Sequence, residues 1–266
     1  MMDEKEQIMQ NREFMKSGFG KNEYVSDQQK LLPQPPLVKP AMTDNRIPLT
    51  MEFDDLLQEH DYLTLLRERK SNRFFADQAM SLKQLSFLLW STQGIRDRRG
   101  NNYATLRPVP SGGARHAFET YLAVMNVEGL EPGVYHYLPM EHALEQLSVS
   151  DNMRQRVIHS ACDQKWAGNA AVDFIYAAVA YRAEWRYSIG SHRVMLIDAG
   201  HIVQNLYLSS QAIGCGTCAI AAFRQEETDA MLGIDGKEEY TVYMAPVGIR
   251  DDRKNEENTK KLYANV

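Results

Sequence analysis

The residue types and spacings that suggest chemistry in this 266-residue chain are few, and Arg69-Lys70-Ser71-Asn72-Arg73 is the most telling run. Two arginines bracket a serine at alternate positions. In an extended segment all three side chains share one side and offer two guanidinium forks and a hydroxyl to a phosphate or a polar ring edge. A helix end also favours cations, so a solvated charge run is the competing reading. Cys215-Gly216-Thr217-Cys218 has the spacing of a thiol–disulfide pair. It follows a long helix and lacks a thioredoxin-like βαβ setting, which favours two small buried residues in a tight loop. The stretch GCGTCA is a loose dinucleotide fingerprint in the wrong context, after a helix rather than a strand. Its glycines still permit close approach of backbone to a flat ligand. The seven histidines lack metal-ligand spacing, and there is no G-x-S-x-G elbow.

These groups must be held by regular elements. DDLLQEHDYLTLLRER at 54–69 has helical spacing, and SLKQLSFLLWSTQG is a helix with Ser81 as N-cap and Gly94 as stop. A polar loop follows, RDRRGNNYATLRPVPSGGARH. The runs ETYLAVMNV, GVYHYLP and HALEQLS are strands separated by turn signals. AVDFIYAAVAY is a strand buried on both faces, with a helix as the alternative. From His192 to Ile213 runs a helix apolar on nearly every side, which belongs in a core or a subunit interface. RQEETDAMLGI is a short helix and EYTVYMAPVGI the last strand. Strands and helices without strict alternation predict an α+β fold.

Regular structure is expected from near Glu52. Before it, five of the ten prolines fall between Pro33 and Pro48, so residues 1–50 read as a Pro-rich arm, either a disordered leader or a strap over a neighbouring surface. Residues 51–250 form the main domain and 251–266 a polar tail. A net charge of −5 argues against gripping a phosphate backbone. Three cysteines cannot close a disulfide framework and point to a reducing cytoplasm. No apolar run reaches the ~18 residues of a membrane span.

Five segments in this order resemble the nitroreductase-like flavoprotein superfamily, and within it the SagB-type dehydrogenase branch. They are RERKSNRFF (67–75), LRPVPSGGARHAFETYL (106–122), EGLEPGVYHYLP (128–139), AGHIVQNLYLSSQAIGCGTCAIAAF (199–223) and YTVYMAPVGI (240–249). The arm SDQQKLLPQPPLVKP is also similar to leaders of that branch. The resemblance implies an α+β fold with a mixed or antiparallel sheet flanked by helices, built as an intertwined homodimer with two FMN sites at the interface. Arg69, Ser71 and Arg73 would hold the flavin phosphate and the polar ring edge. Pro110, Ser111 and Gly112 would reach the flavin from the other subunit, and Cys215, Gly216 and Thr217 would lie along the ring. A cation from Arg250, Arg253 or Lys254 would complete the phosphate grip.

The implied activity is FMN-dependent transfer of hydride between NADH or NADPH and a small electron-poor acceptor, such as a nitroaromatic or a quinone. Members that oxidise azoline rings in peptides carry a Lys-Tyr pair ahead of the long helix, and this chain has Arg186-Tyr187 there. Arginine does not readily release a proton, so a base role is poorly served, while the tyrosine can still donate one. Peptide azoline oxidation is therefore the second expectation. A flavin-binding module without turnover and a thiol redox protein are the others.

Overall fold

The computed structural model describes residues 3–20 and 24–263; the end of the polar tail, 264–266, lies outside them. α1 (Glu4–Phe14) opens on a capping box between Asp3 and Glu6 and buries no residue. The prolines leave most of 26–50 without regular structure, yet this segment is a seated strap. Gln28 N donates to Trp185 O at 2.8 Å, and Trp185 Nε1 donates to Leu32 O at 3.0 Å. Lys39 N donates to Glu119 Oε1 at 2.7 Å, and the amides of Met42 and Thr43 donate to Glu145 Oε2 at 2.7 and 2.8 Å. The strap ends as β1 (Arg46–Pro48), so regular structure begins well before Glu52.

The helical spacing over 54–69 is only partly realised. α2 spans only Tyr62–Glu68, where Asp61 accepts Thr64 N as the N-cap, and residues 54–61 form turns and irregular chain. α3 (Leu82–Gln93) has Ser81 as N-cap, completed into a capping box by Gln84. The expected polar loop contains a small hairpin, β2 (Asp97–Arg99) and β3 (Ala104–Leu106). β4 (Phe118–Val124), β5 (Gly133–Leu138) and β6 (Ala143–Val149) follow, then α4 (Met153–Ser160). β7 (Val172–Val179) runs directly into α5 (Ala180–Tyr187), which settles the ambiguous apolar run as strand then helix. α6 (Ser191–Ala212) is the long helix. The glycine segment after it is not a loop but a short strand, β8 (Cys215–Thr217). α7 (Gln225–Leu232), β9 (Glu239–Ile249) and α8 (Asp252–Tyr263) complete the chain, so the polar tail is largely helical.

The sheet order is β1-β6-β5-β4-β7-β9-β8, with every neighbouring pair antiparallel. Both faces of its centre are covered, and strand alternation sorts the side chains. Phe118, Leu122, Val124, Phe174 and Tyr176 meet α3 and α6 on one side. Tyr121, Ala123, Ile175 and Ala177 meet α4 and α7 on the other. Two-sided burial explains why these strands read as nearly continuous apolar runs.

The strap is clasped by buried charge. His136 lies between Glu145 Oε1 at 2.8 Å and Glu119 Oε2 at 3.0 Å, and Arg182 pairs with Glu119. Burial alone would raise the Glu119 carboxyl, but Arg182 and His136 outweigh it and hold it low. At His136 burial lowers the imidazole, but the Glu119 and Glu145 carboxylates outweigh it and raise it. This cluster anchors the strap 80 or more residues away in sequence.

Candidate functional site

The predicted residues collect at two stations on α6. The first surrounds Tyr207, near its C-terminal end. α2 stops at Arg69, whose φ of −55° and ψ of 120° turn the chain extended. Ser71 and Arg73 are then exposed while Asn72, between them, is buried, as an alternating segment requires. The Arg69 guanidinium lies 5.3 Å from the centre of the Tyr207 ring, and Ser71 Oγ hydrogen-bonds to Tyr207 Oη at 3.1 Å. Ala219 N donates to the same hydroxyl at 2.9 Å. Arg73 lies over the Trp166 ring at 5.7 Å, and Asn255 Oδ1 from α8 accepts the amides of Arg73 and Phe74 at 3.1 and 3.2 Å.

The glycine strand flanks this segment. Asn72 N donates to Thr217 O at 2.9 Å, and β8 is the last strand of the sheet, so one backbone edge faces away from β9. A Cβ at Gly216 would sit 2.7 Å from Asn72 Cβ and 2.8 Å from Arg250 Cγ. Of the three C-terminal cations, Arg250 is therefore the one built into this cradle. Lys254 lines a separate pocket with Arg73, and Arg253 is exposed. Asn72 Oδ1 and Arg250 Nε are buried without a hydrogen bond, although Arg250 Nε is within 3.4 Å of Asp252 Oδ1.

Cys215 and Cys218 are buried free thiols beside the cradle. Burial pushes the Cys215 thiol up to about 12, and burial also raises Cys218 despite Arg73 nearby. A thiolate nucleophile is disfavoured here, and the packing role expected for the pair stands.

The second station surrounds Asp198, nearer the start of α6. Ser111 Oγ donates to Asp198 Oδ2 at 2.7 Å, and Gly112 N donates to both carboxylate oxygens at 3.1 Å. Ser111 Oγ also accepts His116 N at 2.9 Å. Burial raises the Asp198 carboxyl against the lowering effect of these donors. The turn is over-determined, holding Gly113, Ala114 and His116 at φ of 57°, 53° and 45°. A Cβ at Gly112 would clash with Val194 Cγ1, and one at Gly113 with Arg186 Nε and with Tyr187 Oη at 2.6 Å. Arg186 and Tyr187, at the end of α5, thus close on Gly112 and Gly113, while Pro110 is exposed at the entry to the turn.

The two stations do not meet within one chain. Asp198 and Tyr207 are separated by about 14 Å along the helix at 1.5 Å per residue. Sequence reasoning missed Asp198, Tyr207, Asn72 and Asn255. Asp198 had a visible signal, a carboxylate inside the apolar run MLIDAGHIV. The others depend on contacts remote in sequence.

The model of the nitroreductase family matches residues 66–249. A nitroreductase-type protein of Methanocaldococcus jannaschii is 31% identical over 184 residues, covering 69% of this chain and 88% of that protein. The microcin B17-processing protein McbC of Escherichia coli is 28% identical over 133 residues, which are 48% of this chain and 49% of McbC. Among solved structures, a nitroreductase-type protein of Ralstonia eutropha has a TM-score of 0.64 at 24% identity, covering 82% of this chain and 94% of that one. The E. coli microcin synthetase McbBCD complex with truncated pro-MccB17 bound has a chain at TM-score 0.59 and 20% identity, covering 91% of each. These two structural likenesses speak to the fold.

Proposed function

The chain belongs to the nitroreductase family, and from that premise we propose that it is an FMN-dependent oxidoreductase that passes hydride between NAD(P)H and a small electron-poor acceptor. One observation carries this reading. The extended Arg69–Arg73 segment lies against a short strand whose central Gly216 has no room for a side chain beside Asn72 and Arg250, and two buried polar atoms there, Asn72 Oδ1 and Arg250 Nε, lack hydrogen-bond partners. A phosphorylated flat ring suits this arrangement: guanidinium forks for the phosphate, and the backbone edge of a short strand centred on a glycine for the ring.

When bound, FMN supplies the hydride chemistry itself, and the protein binds, orients and tunes it. Arg69, Ser71, Arg73 and Arg250 would hold the phosphate and the polar ring edge, with Cys215, Gly216 and Thr217 along the ring. A guanidinium near the ring edge favours the charge that accompanies reduction. Tyr187 would serve as a proton donor at the second station.

We place the second station against the flavin of a partner copy, in a homodimer. The separation of the stations along α6 supports this, since a chain alone leaves each half incomplete. Leu196 and Ile197 are 49% and 44% exposed on α6, and a Cβ at Gly200 would have nothing within 4 Å, which leaves room for a second helix. Among the described residues no helix is long and apolar enough to cross a membrane. We assign the protein to the cytoplasm on its cysteine content.

Peptide azoline oxidation is the second reading, favoured by the likeness to McbC and weakened by Arg186 in place of lysine. Spectroscopy of the purified protein decides the central point. Bound FMN should show its oxidised bands and bleach rapidly with NADH or NADPH in the absence of oxygen, then reappear on adding a nitroaromatic or a quinone. A colourless protein that binds no added FMN overturns the proposal. A flavin reduced by neither nucleotide excludes the nicotinamide step and leaves the second reading.

A further inference from the structure

Between the β2–β3 hairpin and the turn at 111–114 lies a cavity of about 630 Å³, lined by Arg99, Tyr103, Ser111, Gly113 and Arg186 among others, and by no Asp or Glu. We propose that this cavity is a carboxylate subsite, in which Arg99, Arg186 and the Tyr103 hydroxyl hold the anionic group of a small-molecule substrate. The inference deepens the flavin reading and rests on it, because Ser111 and Gly113 belong to the segment assigned to the flavin.

Three observations converge. First, the positive charge is not balanced. Arg99, Arg115 and Arg186 have no carboxylate within ion-pair distance among the described residues, in a chain whose net charge is −5. Arg115 spends its hydrogen bonds on the carbonyls of Gly113 and Tyr103, at 3.1 and 2.8 Å. The acid nearest the turn, Asp198, is occupied by Ser111 and Gly112.

Second, Tyr103 is set up as a donor. Its oxygen accepts from Arg186 Nη1 at 2.8 Å and from Gln28 Nε2 at 3.0 Å. A phenol oxygen that accepts two hydrogen bonds has its own O–H left to give, and no acceptor for it occurs among the described residues. Gln28 Oε1 in turn accepts from Arg186 Nη1 at 3.0 Å, so the strap holds the arginine and the phenol in one arrangement.

Third, the phenol responds to the surrounding charge. Burial pushes it up, but the Gln28 hydrogen bond and the charges of Arg186 and Arg115 outweigh that and bring it below the usual phenol value. Arg115 lies 4.9 Å from the centre of its ring. A site in which two guanidinium groups and a free hydroxyl converge, with no carboxylate, suits the two oxygens of a carboxylate. The volume suits a small molecule.

The test is calorimetric binding of 4-nitrobenzoate and of its neutral methyl ester, to the protein with and without FMN. The acid should bind about tenfold or more tightly than the ester, with the preference shrinking as salt rises. Arg99→Ala should reduce that preference several-fold while leaving FMN retention unchanged. Arg186→Gln should abolish it, and Tyr103→Phe should weaken acid binding several-fold without touching the ester. Equal affinity for the two probes, or a preference that survives both arginine substitutions, overturns the proposal. So does loss of FMN retention in Arg99→Ala, which would give this charge to the flavin phosphate instead. If the protein holds no FMN, the oxidoreductase reading fails, while the acid–ester difference measured on that same protein still decides the subsite.

Discussion

The two ends of α6 are built on opposite principles. Around Tyr207 the polar groups are left unfinished: Ser71 and Arg73 are exposed, and Asn72 Oδ1 and Arg250 Nε lack hydrogen-bond partners. Around Asp198 the inner groups are finished. Ser111, Gly112 and His116 form a closed set with the carboxylate, in a turn that holds Gly113, Ala114 and His116 at positive φ. Unsatisfied buried groups are costly unless a ligand completes them. A strained turn persists only where its surroundings enforce it. The first end thus leaves polar groups open to a partner, and the second holds a preformed turn, a contrast that supports the binding roles proposed for them.

The largest expected effect breaks the first end alone. Arg69→Ala/Arg73→Ala should weaken FMN binding by about a hundredfold or more, taking charged hydrogen bonds at ~1.5–3 kcal/mol each. Fluorescence titration with FMN measures it, and thermal unfolding of the FMN-free variant should match that of the FMN-free parent. Equal FMN affinity would erase the distinction between the two ends.

The next effect breaks the second end. Asp198→Ala leaves the Gly112 N–H and the Ser111 hydroxyl without their partner and should cost ~2–4 kcal/mol in urea unfolding. Asp198→Asn keeps an acceptor and should cost ~1 kcal/mol. Matching losses from the two substitutions would mean that the carboxylate contributes through charge rather than through closing the turn.

A pH measurement sharpens the same contrast. Burial, followed by the charge of Arg107, lowers His116 from 6.5 to about 3. Its folded-state value is depressed, so the unfolded chain binds the extra proton and stability falls as pH drops from 6.5 towards 3. The slope can approach ~1.4 kcal/mol per pH unit for one proton. His116→Gln should make the unfolding free energy less steep between pH 6.5 and 4.5, above the range where Glu119 begins to contribute, while His142, also lowered by burial, keeps its own share of the slope. Glu119 is held low in the fold, so its contribution is present above its unfolded value and lost as pH falls further. An unchanged slope in the variant would mean that His116 takes up its proton in the fold at the same pH as in the unfolded chain, so that the turn does not depress it.

The smallest effect is expected from the cysteines. Iodoacetamide at neutral pH should label the exposed Cys162 and leave Cys215 and Cys218 unmodified, as read by mass spectrometry. Cys215→Ser/Cys218→Ser should leave the rate of flavin reduction by NAD(P)H within about twofold of the parent, because buried raised thiols do not react. Loss of reduction in that variant would restore the thiol redox reading.

Much of the fold was legible because it rests on local periodicity. Strands β4 and β7, the capped helix α3 and the long α6 were all marked by alternation, capping residues or an apolar run. Boundaries failed where a local signal overrode a period. Asp61 starts the helix only midway through 54–69, and the apolar run after Ala170 passed from strand to helix at Ala180 without a polar break. The glycine segment read as a loop because a three-residue edge strand carries no period of its own.

By itself the sequence determined which side chains could bind an anion at 69–73, since alternate spacing in an extended segment is a property of the backbone. It also determined that Gly216 would allow close approach, since that needs only the absence of a Cβ. The tertiary structure alone decided what those groups meet. Tyr207 and Arg250 reach the Arg69–Arg73 segment from 136 or more residues away, and the strap is seated by Glu119 and Glu145 rather than by its own prolines. Such contacts have no local signature, because a hydrogen bond depends on a few ångströms in space and not on distance along the chain.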